Sequence, residues 1–565
     1  MGTNMSEELG KAASSERMAT GFPDGDGSMR YGWTMTPSPL TDLVKLVIKP
    51  VNVLPVIFVP GIMGSNLKSK VRNVPVWRLN ATLGQPFGLL WNNAPRTAGA
   101  RQVLLHPDKT LVDDAGAVPT FPVGSIGGPT GYKARGWGEV GETSYQAFLL
   151  WLERTLNHPG KAYDKSWKET LNPILADQSR PWGAHRPFAP CTASEIEKVA
   201  NWFYPVYACG YNWLEDNALS ARRLKSRIER IIRQHQQGFG RCKQVLLVTH
   251  SMGGLVARAC SQLEGMAEKI AGIVHGVMPA IGAPVAYRRC KVGMRDEDYA
   301  ASLVIGQTGL EVTAVFAQAP GALELLPTQQ YDSSWLRVKD LAGNDLLPPH
   351  PDPYDGIYAV RDRWWGLIKE EWLAPEGGEA LGWKDAVQYI SRAKDFHVSI
   401  ADKYHAFTYG FHAADPKQKS FEHVIWQLKK GISPEGEAQL PNPSDVMQIS
   451  PQQVRMDGTN PEYVGGENVV QVVRSGMGPS VVQYDTSHYE LHASRQDGGG
   501  DGTVPVSSGR APATAANVRQ WFALKGFAHE PAYKNEMAQF VTLYSIVKLT
   551  AQARTPPGNL IWPPN

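Results

Sequence analysis

The stretch Val245-Leu-Leu-Val-Thr-His250-Ser251-Met252-Gly253-Gly254-Leu-Val-Ala-Arg-Ala259 decides the fold. An apolar run of strand character breaks at a turn of small residues and resumes with helical spacing. This is the outline of a nucleophile elbow, a sharp strand-to-helix turn that lifts a serine out of a sheet. A serine hydroxyl is a weak nucleophile at its own pKa, so ester chemistry needs a base and two oxyanion donors around it. The elbow exposes Oγ of Ser251 and turns the N–H of Met252 toward a reacting carbonyl. Gly253 supplies the small residue two positions after the serine. Thr249 stands where the usual pattern has glycine, which the turn tolerates only if strand and helix pack loosely there.

A second donor has to come from upstream. In Pro55-Val-Ile-Phe-Val-Pro60-Gly61-Ile62-Met63-Gly64-Ser65-Asn66-Leu67, residues Val56 to Val59 read as a short buried parallel strand. Gly61 and Gly64 let the following backbone turn and approach a ligand closely. Ile62 N–H is assigned as that donor. By itself, a strand ending in Pro-Gly is also an ordinary turn.

In this geometry the acid and the histidine follow the serine in that order. Near the C-terminus, Asp497-Gly-Gly-Gly-Asp501-Gly502-Thr503-Val504-Pro505 precedes Lys525-Gly526-Phe527-Ala528-His529. Asp501 would hold the His529 ring in one tautomer, and His529 would shuttle the proton between Ser251 and the leaving group. Asp296 and Asp298 are the alternative acids, placed after the sixth strand. The glycine-rich acidic turn could also suit a hard cation such as calcium, but it lacks the carboxylate-rich remainder of such a loop. No cofactor is expected for the chemistry, and calcium is not predicted.

At 565 residues the chain exceeds a minimal catalytic core. The expected core is 51–68, 200–299 and 481–550, with an insertion at 69–199, an insertion or lid region at 300–480, a partly flexible N-terminal arm at 1–50 and a tail at 551–565. The second insertion holds Arg361-Asp-Arg-Trp-Trp-Gly-Leu-Ile-Lys-Glu-Glu-Trp372. Trp364, Trp365 and Trp372 suit either an acyl-chain wall or ordinary core. The basic run Ser220 to His235 spaces its apolar residues for one helix face, leaving a charged face for solvent or for anionic headgroups. A formal net charge of +3 on so long a chain gives no reason to expect nucleic acid. Five scattered cysteines, an odd number, do not suggest a disulfide framework.

Taken together, Val59-Pro-Gly-Ile-Met-Gly-Ser-Asn-Leu67, His250-Ser-Met-Gly-Gly254, Gly500-Asp-Gly-Thr-Val-Pro505 and Gly526-Phe-Ala-His529 resemble the lecithin:cholesterol acyltransferase-like branch of the α/β-hydrolases. Tyr204-Pro-Val-Tyr-Ala-Cys-Gly-Tyr-Asn-Trp213 is similar to that branch's strand ending in Tyr-x-Trp, and Met278-Pro-Ala-Ile-Gly-Ala-Pro284 to its loop after the sixth strand. More narrowly, Arg135-Gly-Trp-Gly-Glu-Val140, Ala283-Pro-Val-Ala-Tyr-Arg288 and Gly321-Ala-Leu-Glu-Leu-Leu-Pro327 are similar to bacterial phospholipase effectors delivered by type VI secretion.

The resemblance implies an α/β fold with a mostly parallel central sheet flanked by helices and large lid or cap insertions. It implies hydrolysis of phospholipid acyl esters through an acyl-enzyme, with an acyltransferase, a housekeeping lipase and a non-catalytic binding protein as alternatives. The implied partners are a phospholipid membrane, a cognate immunity protein and a secretion-spike protein. Residues Met1 to Asp42 hold no apolar stretch bordered by a cleavage site. The expectation is a chain made in the bacterial cytoplasm without a signal peptide and delivered by type VI machinery to a target-cell periplasm.

Overall fold

The computed structural model describes residues 50–78, 97–120, 128–157, 183–237, 241–295, 297, 305–430, 442–456, 458–460, 462–465 and 488–554, with short strands at 16–20, 22–23, 29–30, 43–47, 471–473 and 481–483. Among them a six-stranded sheet forms the centre. Its strands are β1 (Val56–Val59), β2 (Val206–Ala208), β3 (Val245–His250), β4 (Ile270–Gly276), β5 (Thr408–Ala413) and β6 (Val518–Leu524). They lie in the order β2-β1-β3-β4-β5-β6, every pair parallel. The apolar runs VIFV and VLLVTH are buried at every position, as strands covered on both faces must be.

Alternation along each strand feeds two cores. Ile57, Val59, Val245 and Leu247 point into one, and Val56, Phe58, Leu246 and Val248 into the other. The flanking helices are α1 (Glu142–Leu156), α2 (Ala193–Ala200), α3 (Asn217–Gln236), α4 (Gly253–Gln262), α5 (Trp383–Ile400) and α6 (Glu536–Gln552). The first core is closed by Leu224, Ile228 and Ile231 of α3, Leu255 and Val256 of α4 and Ile390 of α5. Phe148 and Leu152 of α1, Val199 of α2 and Val541 and Ile546 of α6 close the second. In α3 the apolar residues recur on one face and Asp216 caps the helix by accepting from Ala218 N–H. Its basic face is mostly exposed, but Arg227 is buried on Glu139.

The division into core and insertions differs from expectation. Strand β5 lies inside 300–480, and α1 inside 69–199. Parallel neighbours cannot be joined by a hairpin, so each step from β1 to β2, β4 to β5 and β5 to β6 is a long crossover that must carry helices back over the sheet. Both spans are therefore elaborated crossovers of the core itself. The last crossover joins a smaller five-stranded sheet that includes Val424–Lys430 and His488–Ala493, the latter from within the expected 481–550 core. Within the expected arm, Glu16–Thr20 pairs in parallel with Leu43–Val47 and Phe22–Pro23 antiparallel with Met29–Arg30; most of the rest of that arm and most of the tail lie outside the described residues.

Trp364, Trp365 and Trp372 are buried in the first core. The indoles of Trp364 and Trp365 donate to Val446 O (2.8 Å) and Met447 O (3.1 Å), so the tryptophans serve as core. All five cysteines are buried and free. No helix among the described residues is long and apolar enough to cross a membrane.

Candidate active site

Strand β3 ends at His250 and α4 begins at Gly253, leaving Ser251 and Met252 to make the turn. Ser251 adopts φ +53°, a left-handed conformation that L-residues avoid and that a strained elbow imposes. Gly253 is required by space. A Cβ there would come within 2.3 Å of Pro60 O and 2.5 Å of Val59 O, because the helix start lies against the end of β1. At the position of Thr249 the packing is not loose: the side chain is fully buried, and its Oγ1 is hydrogen-bonded to Nδ1 of His275 at 2.9 Å. The neighbouring strand thus gives the threonine hydroxyl a polar partner at the position where the usual pattern has glycine. Burial lowers the pKa of His275 to about 3, so that partner is neutral.

Ser251, His529 and Asp501 come together from three separate parts of the chain. Oγ of Ser251 lies 2.8 Å from Nε2 of His529, and Nδ1 of His529 lies 2.8 Å from Oδ2 of Asp501. His529 N–H also donates to Asp501 O at 2.8 Å, fixing backbone and ring to one residue. The other carboxylate oxygen, Oδ1, accepts the N–H groups of Thr503 (3.0 Å) and Val504 (2.7 Å). Asp501 is only 1% exposed, so these N–H groups and the imidazole do for it what water does elsewhere.

The glycine run before Asp501 has a steric cause. Gly498–Gly500 pairs antiparallel with the segment Asp415–Ser420, and a Cβ on Gly500 would fall 2.4 Å from Ser420 Oγ. Ser420 Oγ in turn accepts Gly502 N–H at 3.0 Å. Asp497 faces elsewhere: its Oδ2 meets His423 Nδ1 at 2.7 Å, and its Oδ1 accepts the N–H groups of Glu422 and His423. Burial raises its pKa, but the bonds from His423 outweigh this and hold the carboxyl below its ordinary range. The two aspartates of the glycine-rich turn thus serve different histidines. No group of three or more His, Cys, Asp or Glu side chains among the described residues is arranged to hold a metal ion. Asp296 and Asp298, the alternative acids, lie outside the described residues.

Ile62 and Met252 occupy the loop after β1 and the head of α4. No hydrogen bond engages either N–H among the described residues. The Ile62 loop is held in shape by Gly64 N–H donating to Gly61 O (3.0 Å) and by the Trp77 indole donating to the carbonyl of Met63, which itself has φ +62°. A Cβ on Gly61 would touch both Ser251 Cβ and His250 Nδ1 at 2.9 Å, so the loop lies directly on the elbow.

Sequence reasoning missed a layer beneath these groups. Tyr145 of α1 and His250 are hydrogen-bonded at 3.1 Å under the Gly61 loop, and Tyr533 donates to Thr249 O at 2.8 Å. His250 was legible as part of the elbow motif, but Tyr145 lies 105 residues from it and carried no local signal.

Residues 213–296, which hold the elbow, match a family model described as "PGAP1-like alpha/beta domain". No curated protein matches the chain. Among solved structures the chain is similar to one described as "The crystal structure of Tle4-Tli4 complex", at 29% sequence identity and a TM-score of 0.69. That likeness covers 89% of this chain and 99% of the other. Both matches bear out the resemblance read from the motifs. The chain is an α/β-hydrolase by fold, similar around its elbow to the PGAP1-like alpha/beta domain and over most of its length to a chain of the Tle4–Tli4 complex.

Proposed function

We propose that the protein is a serine ester hydrolase that cleaves acyl esters of membrane phospholipids. The observation that carries this reading is the hydrogen-bonded line from Asp501 through His529 to Ser251 on a strained elbow. Ser251 Oγ attacks the acyl carbonyl carbon while Nε2 of His529 takes its proton. The carbonyl oxygen becomes an oxyanion received by the N–H groups of Ile62 and Met252. Collapse expels the lyso-lipid alkoxide, which leaves with the proton from His529, and Ser251 stays acylated. Water then attacks the acyl-enzyme with His529 as base, releasing the fatty acid and restoring the serine. The motif resemblance to phospholipase effectors favours a lipid acyl chain over a small soluble ester.

The likeness to a chain solved within a two-protein complex supports a second part of the proposal. The enzyme is an antibacterial effector carried by a type VI apparatus, and a cognate immunity protein guards the producing cell by blocking access to Ser251. The test of the chemistry is labelling by a fluorophosphonate probe together with a lipidomic digest of mixed bacterial phospholipids. Ser251→Ala should abolish both labelling and fatty-acid release. Labelling that persists in the alanine variant, or lipids left intact by a labelled parent, would overturn the assignment. The biological part is tested by directing the enzyme to the periplasm of a test bacterium, where the parent should be toxic and Ser251→Ala harmless.

A further inference from the structure

Beneath the site runs a chain of hydrogen bonds that joins its two halves. Gly61 N–H, in the loop that carries Ile62, donates to Tyr145 Oη at 3.3 Å. Tyr145 Oη lies 3.1 Å from Nδ1 of His250. Nε2 of His250 lies 2.9 Å from the main-chain carbonyl of His529. A carbonyl only accepts, so Nε2 carries the ring proton and Nδ1 is left as an acceptor. The phenol must therefore donate to Nδ1, and its oxygen is free to accept from Gly61. Each bond of the line has one possible donor and one possible acceptor, so the donors and acceptors fit in only one direction.

The surroundings hold this arrangement in place. Tyr145 and His250 are each 3% exposed, so water cannot substitute for a missing partner. Burial, with the nearby His529 second, lowers the pKa of His250 to about 3, which keeps its ring neutral. The loop rests on the phenol so closely that a Cβ on Gly64 would meet Tyr145 Oη at 2.6 Å. His529 is thus gripped at three points: its N–H and ring by Asp501, and its carbonyl by His250.

From this geometry we infer that Tyr145 and His250 are positioning residues, a strut that sets the distance between the oxyanion loop and the base. The inference rests on the ester-hydrolase reading and adds to it the control of relative placement. Neither residue touches the reacting atoms. Tyr145→Phe removes the acceptor for Gly61 N–H and the donor to His250 Nδ1 at once, while leaving the ring volume in place. The Ile62 N–H and the His529 ring then lose their common reference, and misplacement of about an ångström costs on the order of a hundredfold in rate.

The experiment uses the full chain and four proteins: parent, Tyr145→Phe, His250→Gln and His250→Leu. The rate constant of fluorophosphonate labelling, kcat and KM on phospholipid vesicles, and thermal midpoints are measured for each. The strut predicts that Tyr145→Phe lowers kcat and the labelling rate by roughly 10- to 100-fold with KM little changed. His250→Gln, which keeps an N–H for the His529 carbonyl, should recover most of the rate that His250→Leu loses, at matched thermal midpoints. Tyr145→Phe within twofold of the parent, or equal losses in Gln and Leu variants, would overturn the strut. A parent that neither labels nor hydrolyses would instead sink the ester-hydrolase reading. Nitrogen-15 spectra of the imidazoles decide the strut in that case, since it requires His250 as the neutral Nε2–H tautomer and a change in the His529 signals in Tyr145→Phe. A His250 ring protonated at Nδ1, or His529 signals unmoved, refutes it.

Discussion

Replacing Asp501 by asparagine tests whether this carboxylate sets the tautomer of His529. Its two oxygens have separate duties, because Oδ1 accepts the N–H groups of Thr503 and Val504 whereas Oδ2 faces Nδ1 of His529 at 2.8 Å. In asparagine the carbonyl must take the first position, since an amino group there would confront two N–H donors. The amino group then falls beside Nδ1 and forces it to accept. The ring proton moves to Nε2 and points at Ser251, so the imidazole can no longer take the serine's proton. A loss of about four orders of magnitude in kcat is expected, equivalent to about 5.5 kcal/mol of barrier. Shape and volume are kept, so the thermal midpoint should stay near that of the parent. Fatty-acid release from phospholipid vesicles and the rate of fluorophosphonate labelling are the assays, with Asp497→Asn alongside because its carboxylate serves His423. If Asp501→Asn keeps more than about a tenth of the parental rate, or if Asp497→Asn falls further, the tautomer reasoning fails.

Ser251→Gly should be more stable than Ser251→Ala by about 1 kcal/mol, because glycine adopts the φ of +53° without strain; urea unfolding of the two inactive variants measures it, and the reverse order would deny strain at the elbow. Glu153→Ala should destabilise the fold by about 3–5 kcal/mol, because it strips the buried Arg135 guanidinium of a two-oxygen partner at 3.0 Å and Val206 N–H of an acceptor; a cost under about 1 kcal/mol in urea unfolding would mark the pair as ordinary surface chemistry. Burial lowers His250, His275 and His412 to about 3 each, below the ordinary value of 6.5, so the unfolded chain binds more protons between those values. Stability should accordingly fall as pH drops from about 6.5 toward 3, seen as a declining thermal midpoint, and replacing His412, which bonds no group in the catalytic line, by an apolar residue should flatten that slope. If an insertion covers the cleft and moves to admit a lipid, as the proposed lipase reading expects, activity should rise as substrate passes its micellar threshold, and strict proportionality through that threshold would count against a moving cover.

The elbow, the Gly61 loop and the late acid and base were legible because each is local: a strand's apolar run, a glycine forced by contact, an aspartate and a histidine in the order that the chemistry demands. The strand order was less so. Thr408–Ala413 reads TYGFHA, with threonine, glycine and histidine diluting its apolar signal, and only the sheet's two faces reveal it as core. Gly410 is there because a Cβ would strike the Trp521 ring at 2.3 Å, a fact about a neighbour over a hundred residues away. The tryptophans at 364 and 365 could have been wall or core on composition, and the carbonyls of Val446 and Met447 decide the matter. Tyr145 escaped notice for the same reason: its significance lies in the partner it meets across the fold.

The bond between Ser251 and His529 spans 278 residues, and the base sits beyond the last strand of the sheet. During translation the elbow, with β1 and β3 already made, can fold early on the growing chain. On the proposed mechanism its serine is inert at that stage, since the imidazole that would activate it does not yet exist. The residues that lead to His529 follow β6, which pairs with β5, so His529 can reach the elbow only after both strands have been made. Long-range closures of this kind form late and slowly. Of the 565 residues, 278 are therefore added between Ser251 and the completion of His529, so a chain that works as proposed gains its base only near the end of its synthesis.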